Sequence, residues 1–83
     1  MKNVTVYGKN NCPACEQAKS LLKQEGVEFT FINCDEDFDA FDKMIYAGHR
    51  SFPQIYIDRG VPMGGYDTLR RMYNDAGNLN FFK

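Results

Sequence analysis

The sequence predicts an α/β fold, a four-stranded mixed sheet flanked by helices in the order βαβαββα. Three observations predict it. Short runs of β-branched and aromatic residues alternate with stretches whose apolar residues recur at helical spacing. Gly, Asn and Asp clusters punctuate the boundaries. The last two β runs are joined by only a short turn, the mark of a hairpin, whereas the earlier ones are separated by a helix. At 83 residues the chain falls below the ~100–150 of a typical domain, so residues 1–83 are read as one domain.

Val4-Thr5-Val6-Tyr7 forms the first strand, ended by the turn-forming Gly8-Lys9-Asn10-Asn11. Pro13 then suits the first turn of a helix, where its missing N–H is no loss. Cys15, Ala18, Leu21 and Leu22 share one face of that helix, and Gly26 is its stop. Phe29–Asn33 reads as the second strand. Asp35, Glu36, Asp37, Asp39 and Asp42 lead into a second amphipathic helix, with Phe38, Phe41, Met44 and Ile45 as its apolar stripe and an end near Gly48. The acids read first as a solvated helix face and second as a surface for partner docking. Gln54–Asp58 is the third strand, Arg59-Gly60 the turn, and Val61–Met63 a short fourth strand broken by Gly64-Gly65. A last helix runs from Tyr66 to about Ala76, with Leu69, Met72 and Tyr73 inward and Gly77 as its stop.

Composition narrows the function. Ten basic residues against eleven acidic ones give a net charge of −1, which argues against nucleic-acid binding through a general basic field. Apolar residues at 43% and aromatics at 14% suffice for a globular core. No run approaches the ~20 apolar residues of a membrane span, and the first residues do not read as a charged-then-apolar leader. The expectation is therefore a cytoplasmic protein away from membranes. Three cysteines, two of them close together, do not make a stapled secreted framework.

Cys12-Pro13-Ala14-Cys15 carries the chemistry. The thiolate is the reactive form of cysteine, and helix N-terminal N–H groups with their dipole stabilise an anion. Cys12, just before the helix, is thus expected as the nucleophile that attacks a disulfide. Cys15, nearly one turn deeper and less exposed, is expected to resolve the mixed disulfide. Lys9 adds positive charge at the same mouth. The competing reading is half a zinc site completed by Cys34 and His49. It is opposed by the long separation of the second pair and by Pro13, which starts a helix rather than a metal knuckle. Cys34 reads as a small residue at a strand end, with a regulatory thiol as the lesser alternative, and His49 as a surface or hydrogen-bonding residue.

Lys9-x-x-Cys12-Pro13-Ala14-Cys15, Ser51-Phe52-Pro53-Gln54 and Gly64-Gly65-Tyr66-Asp67 together resemble the glutaredoxin motifs, in order and at family spacing over residues 4–73. The resemblance implies a thioredoxin-like fold with Pro53 in the cis form beside the cysteine pair, leaving the peptide groups of Phe52 free to pair with an extended substrate. It implies that Gly65, Tyr66 and Asp67 bind the γ-glutamyl end of glutathione and that Lys9 faces its glycine carboxylate. Tyr7 falls where the family often has an aromatic near the active site. Ala14 stands where a tyrosine is common, Phe52 where valine is usual, Tyr66 where many members have a small residue, and Thr68 where a second acid is common. The aromatic after Gly-Gly, followed by Asp-x-Leu-Arg, is similar to phage-encoded glutaredoxin/thioredoxin hybrids.

The resemblance also implies a monomeric dithiol–disulfide oxidoreductase. It would reduce protein disulfides and glutathione-mixed disulfides, with glutathione as co-substrate, no tightly bound cofactor and no metal. Ribonucleotide reductase is the implied protein partner. One rival shares the chemistry but takes electrons from thioredoxin reductase. Another is a metal or [2Fe–2S] binding module, which Pro13 opposes because the usual cluster carriers lack a proline there.

Overall fold

The computed structural model describes residues 2–83. Its elements are β1 (Val4–Gly8), α1 (Pro13–Gln24), β2 (Thr30–Asn33), α2 (Phe38–Tyr46), β3 (Gln54–Ile57), β4 (Val61–Gly64) and α3 (Tyr66–Ala76), followed by a 3₁₀ turn at Asn80–Phe82. The predicted order holds, with boundaries moved by one residue: β2 begins at Thr30, β3 ends at Ile57, and β1 and β4 each run on to a glycine. The sheet order is β2-β1-β3-β4. β1 pairs parallel with β2, setting Val6 beside Phe31 and Gly8 beside Asn33. It pairs antiparallel with β3, setting Tyr7 beside Gln54, and β3 pairs antiparallel with β4.

Alternation along β1 sends its side chains to two cores. Val4 and Val6 join Ala18 and Leu22 of α1, Leu69 of α3 and Ile55 and Ile57 of β3 in the larger one. Tyr7 faces the other way, into a smaller cluster with Cys34, Ala40, Met44 and Tyr56 beneath α2. The sheet thus carries α1 and α3 on one face and α2 on the other.

Two sequence expectations are corrected. The apolar stripe assigned to α2 is mostly outward: Phe38, Phe41 and Ile45 are exposed, and Ala40 and Met44 make the buried face. Small Ala40 lets the helix lie close to the sheet, and Asp37 fixes its start by accepting the N–H of Ala40 at 3.0 Å. The second correction concerns the chain end, where no element was expected. Leu79 and Phe82 are among the most buried side chains and close the larger core. Lys2 Nζ donates to the Phe81 carbonyl at 2.6 Å and ties that end to the start of the chain.

Candidate functional site

Cys12 caps α1. Its backbone is extended (φ −123°, ψ 96°), Pro13 begins the helix, and the Cys15 N–H donates to Cys12 Sγ at 3.2 Å. A sulfur therefore occupies the place where Ser or Asp usually satisfies a free helix N–H. Cys12 and Cys15 are joined as a disulfide, with their Cα atoms 5.2 Å apart. Cys15 is fully buried and Cys12 retains slight exposure, the order of access expected from one helical turn of depth. Gly8 makes room for the pair. A Cβ there would stand 2.6 Å from the Phe31 ring and 3.0 Å from Cys15 Sγ.

The loop between β1 and α1 is braced from the neighbouring junction. Asn11 takes a left-handed conformation (φ 52°). The Asn10 N–H donates to Asp35 Oδ2 at 2.8 Å, while Asn33 Nδ2 donates to Asn10 Oδ1 at 2.8 Å and to Glu36 Oε2 at 3.2 Å.

The Phe52–Pro53 bond is cis, and the Phe52 carbonyl oxygen lies 3.8 Å from Cys12 Sγ. Pro53 is buried and Phe52 half-buried, packing against the Tyr7 cluster. Gln54 braces the turn by donating from Nε2 to the Ser51 carbonyl at 2.8 Å. Gly65 lies against this segment, since a Cβ on it would come within 3.1 Å of the Pro53 carbonyl. Gly64 turns the chain there with φ 93°, and a Cβ would collide with Thr68 Oγ1 at 2.6 Å. Gly65 then caps α3 without a side-chain bond, so the first-turn N–H groups have no capping side chain as acceptor. Asp67 is exposed in that first turn. Tyr66 is half-buried and borders a shallow hollow along α1 with Glu16, Gln17 and Leu21.

The chain thus brings together Cys12, Cys15, Phe52, Pro53 and Gly65, with Tyr66 and Asp67 following Gly65 in the first turn of α3. Lys9 stands on a different side. It borders a hollow of about 560 Å³ with Asn10, Cys12, Pro13, Lys19 and Phe31, toward the β2 edge. Tyr7 is buried on the α2 face, its ring 5.4 Å from that of Tyr56, and Lys43 Nζ donates to its hydroxyl at 3.2 Å. Lys19 is the residue that sequence reasoning missed. Its Nζ sits 4.0 Å above the Phe31 ring and 2.7 Å from Glu16 Oε2, adding a second cation to the Cys12 hollow. Its position two helical turns after Cys12 was the available signal.

Cys34 and His49 do not join the pair. Cys34 is buried in the α2 cluster, its N–H donating to the Gly8 carbonyl at 2.8 Å. Burial, then the nearby charges of Asp37 and Asp35, push its thiol pKa above the ordinary value. His49 Nε2 lies 2.6 Å from the Tyr56 hydroxyl. Among the described residues no cluster of His, Cys, Asp and Glu is placed to hold a metal ion, and no helix is long and apolar enough to cross a membrane.

Comparison with known proteins points to one family. A family model described as glutaredoxin matches residues 4–61. Glutaredoxin 3 of Escherichia coli is 40% identical over 70 residues, covering 83% of each chain. A buckwheat glutaredoxin, solved as a glutathione complex, superposes with a TM-score of 0.80 at 22% identity, covering 98% of this chain and 76% of that one. The glutaredoxin-like NrdH-redoxin of E. coli, whose solved structure is described as having a thioredoxin-like activity profile, gives a TM-score of 0.73 at 25% identity, with coverage of 84% and 93%.

Proposed function

The chain belongs to the glutaredoxin family, whose members are thiol–disulfide oxidoreductases, and on that premise we propose that it reduces protein and glutathione-mixed disulfides through Cys12 and Cys15, with glutathione as the reductant. The observation that carries the reading is Cys12 itself capping α1, its sulfur held by a backbone N–H beside the Phe52 carbonyl.

In the dithiol state the Cys12 thiolate, stabilised by the α1 N–H groups, attacks one sulfur of the substrate disulfide. A new bond forms between Cys12 and that sulfur, and the other leaves as a thiolate and takes a proton. Cys15, deprotonated, then attacks Cys12 Sγ and releases the second substrate thiol, producing the Cys12–Cys15 disulfide. Two electrons have passed from the pair to the substrate. One glutathione thiolate opens the pair, a second removes the first as oxidised glutathione, and the dithiol returns. Phe52, beside cis Pro53, would offer its peptide groups to the substrate backbone. The open N–H groups at Gly65 and Tyr66 suit the γ-glutamyl carboxylate, Asp67 its amino group, and Lys9 the glycine carboxylate. The family resemblance supports electron supply to ribonucleotide reductase as the physiological use, by a monomer in the cytoplasm with no resident cofactor.

Reduction of a glutathione-mixed disulfide, coupled to glutathione reductase, tests the proposal. Activity surviving in Cys12→Ser would overturn it, and loss in Cys15→Ser alone marks a dithiol route. A second reading, in which thioredoxin reductase supplies the electrons, is raised by the likeness to the NrdH-redoxin, whose structure is described as having a thioredoxin-like activity profile. Turnover with each reductase separates the two, and Asp67→Ala lowers only the glutathione-driven rate.

A further inference from the structure

The outer face of α2 carries an apolar row that none of the described residues covers. Phe38, Phe41 and Ile45 recur at i, i+3 and i+7 on one side of the helix, 77%, 40% and 54% exposed, and Tyr46 beside them is 93% exposed. Soluble proteins seldom leave so many large apolar side chains together in water without a use for them. The row is set among acids: Asp39 and Asp42 lie on the helix, and Asp35, Glu36 and Asp37 lead into it. Asp35, Glu36 and Asp37 are engaged in bracing the junction, whereas Asp39 and Asp42 form no ion pair among the described residues. The helix holds one cation, Lys43, and its Nζ turns inward to the Tyr7 hydroxyl and ring.

We propose that this face docks a polypeptide disulfide substrate whose segment beside the reactive disulfide interleaves Lys or Arg with apolar side chains. The proposal rests on the disulfide-exchange reading and deepens it by naming the substrate class. Charge complementarity selects a cationic partner for the row. A second copy of this chain is disfavoured, because the contact would set Asp39 and Asp42 against their own equivalents. The start of the face is tied to the loop that carries Cys12. Phe38 opens α2, and the junction before it holds the Cys12 loop through the bond from Asn10 to Asp35. A peptide of about 15 residues spans ~50 Å when extended, more than the 35 Å longest extent of the molecule, so one segment reaches both places.

The test uses pre-reduced protein in single turnover, which needs no electron donor. The substrates are a basic–apolar peptide of about 15 residues with an internal disulfide near one end, the same peptide with Glu for each Lys, and bis(2-hydroxyethyl) disulfide. The basic peptide is expected to react about tenfold faster than the acidic one, and this preference shrinks with added salt. F38S/I45S lowers the basic-peptide rate constant about five- to tenfold and leaves the small disulfide within about twofold. D39K/D42K reverses the peptide preference. Peptide-to-small-disulfide ratios equal in wild type and both variants, with folds matched by circular dichroism, overturn the proposal. So does a dimer in sedimentation that F38S/I45S abolishes, which would assign the face to self-association. Anisotropy of the labelled basic peptide with Ser for both Cys reads docking without exchange: binding to wild type that F38S/I45S weakens supports the surface, and equal binding sinks it. Failure of wild type to reduce even the small disulfide refutes the exchange reading instead.

Discussion

The two junctions after the parallel strands are built alike and do different chemistry. β1 leads to Cys12, which caps α1 with φ −123° and ψ 96°, its side chain accepting the N–H three residues on. β2 leads to Asp37, which caps α2 with φ −121° and ψ 97° and accepts the N–H of Ala40 in the same pattern. The capping device is one device, used twice. What differs is the capping atom and the place of the neighbouring thiol. In the first junction sulfur holds the cap and the second thiol, Cys15, is within bonding reach. In the second a carboxylate holds the cap, and its charge helps push buried Cys34 away from ionisation. The same cap thus places a thiol at the mouth of one helix and a carboxylate at the mouth of the other, with Cys34 buried behind it.

The largest effect comes from exchanging the capping atom. Under reducing conditions Cys12→Asp is expected to keep the α1 cap yet lose disulfide exchange by more than about 10³-fold, because a carboxylate cannot form the mixed disulfide. Cys12→Ala should lose the activity and also about 1 kcal/mol of stability. Measuring turnover and urea midpoints on both variants separates cap from nucleophile. Equal stabilities for Asp and Ala would mean that the cap at Cys12 contributes nothing.

Next in size is the room behind the first cap. Gly8→Ala pushes a methyl against the Phe31 ring and Cys15 Sγ, the latter tied to Cys12. Overpacking of this kind costs about 1–3 kcal/mol, and for a chain of this size each kcal/mol lowers Tm by roughly 4–8 °C. An unchanged melting temperature would show that Phe31 swings aside freely. At the second junction Asp37→Ala should cost about 1 kcal/mol through the lost cap, while Asp37→Asn, still able to accept the Ala40 N–H, should cost little. A comparable loss in both would assign the stability to charge rather than to capping.

The two junctions were not equally legible. Pro13 and the Cys-x-x-Cys spacing mark the start of α1, and the Gly64-Gly65-Tyr66-Asp67 run marks the start of α3, because each relies on residues with a local backbone consequence. The start of α2 was visible through its acids, but its buried face was not. Periodicity shows which side chains share a face, and it does not show which face a sheet covers. Ala40, too small to register as a hydrophobic signal, turned out to define it. Leu79 and Phe82 escaped because a three-residue 3₁₀ turn has no period to detect. Lys19 joins the Cys12 hollow across two elements: the parallel register that sets Val6 beside Phe31 puts that ring under its ammonium. No single stretch of sequence contains that pairing.

The smallest effect tests the second junction alone, through Cys34. Burial first, then Asp37 and Asp35, raise its thiol pKa above the ordinary value of 9.0. Between that value and the raised one the folded chain keeps the proton that the unfolded chain gives up. With more protons bound in the folded state, stability falls as pH rises through this window and is constant below it with respect to this group. Urea midpoints compared between wild type and Cys34→Ala should therefore differ by a constant amount at neutral pH, the cost of a small cavity. Above pH 9.0 the two should converge, since only the wild type has this thiol to lose stability by. Asp37→Asn removes one of the two charges and should narrow the window from its alkaline end without closing it, because burial remains the larger cause. Parallel curves for wild type and Cys34→Ala up to alkaline pH would mean that Cys34 ionises in the folded chain as readily as in the unfolded one, and the contrast between the two junctions would then rest on the capping atom alone.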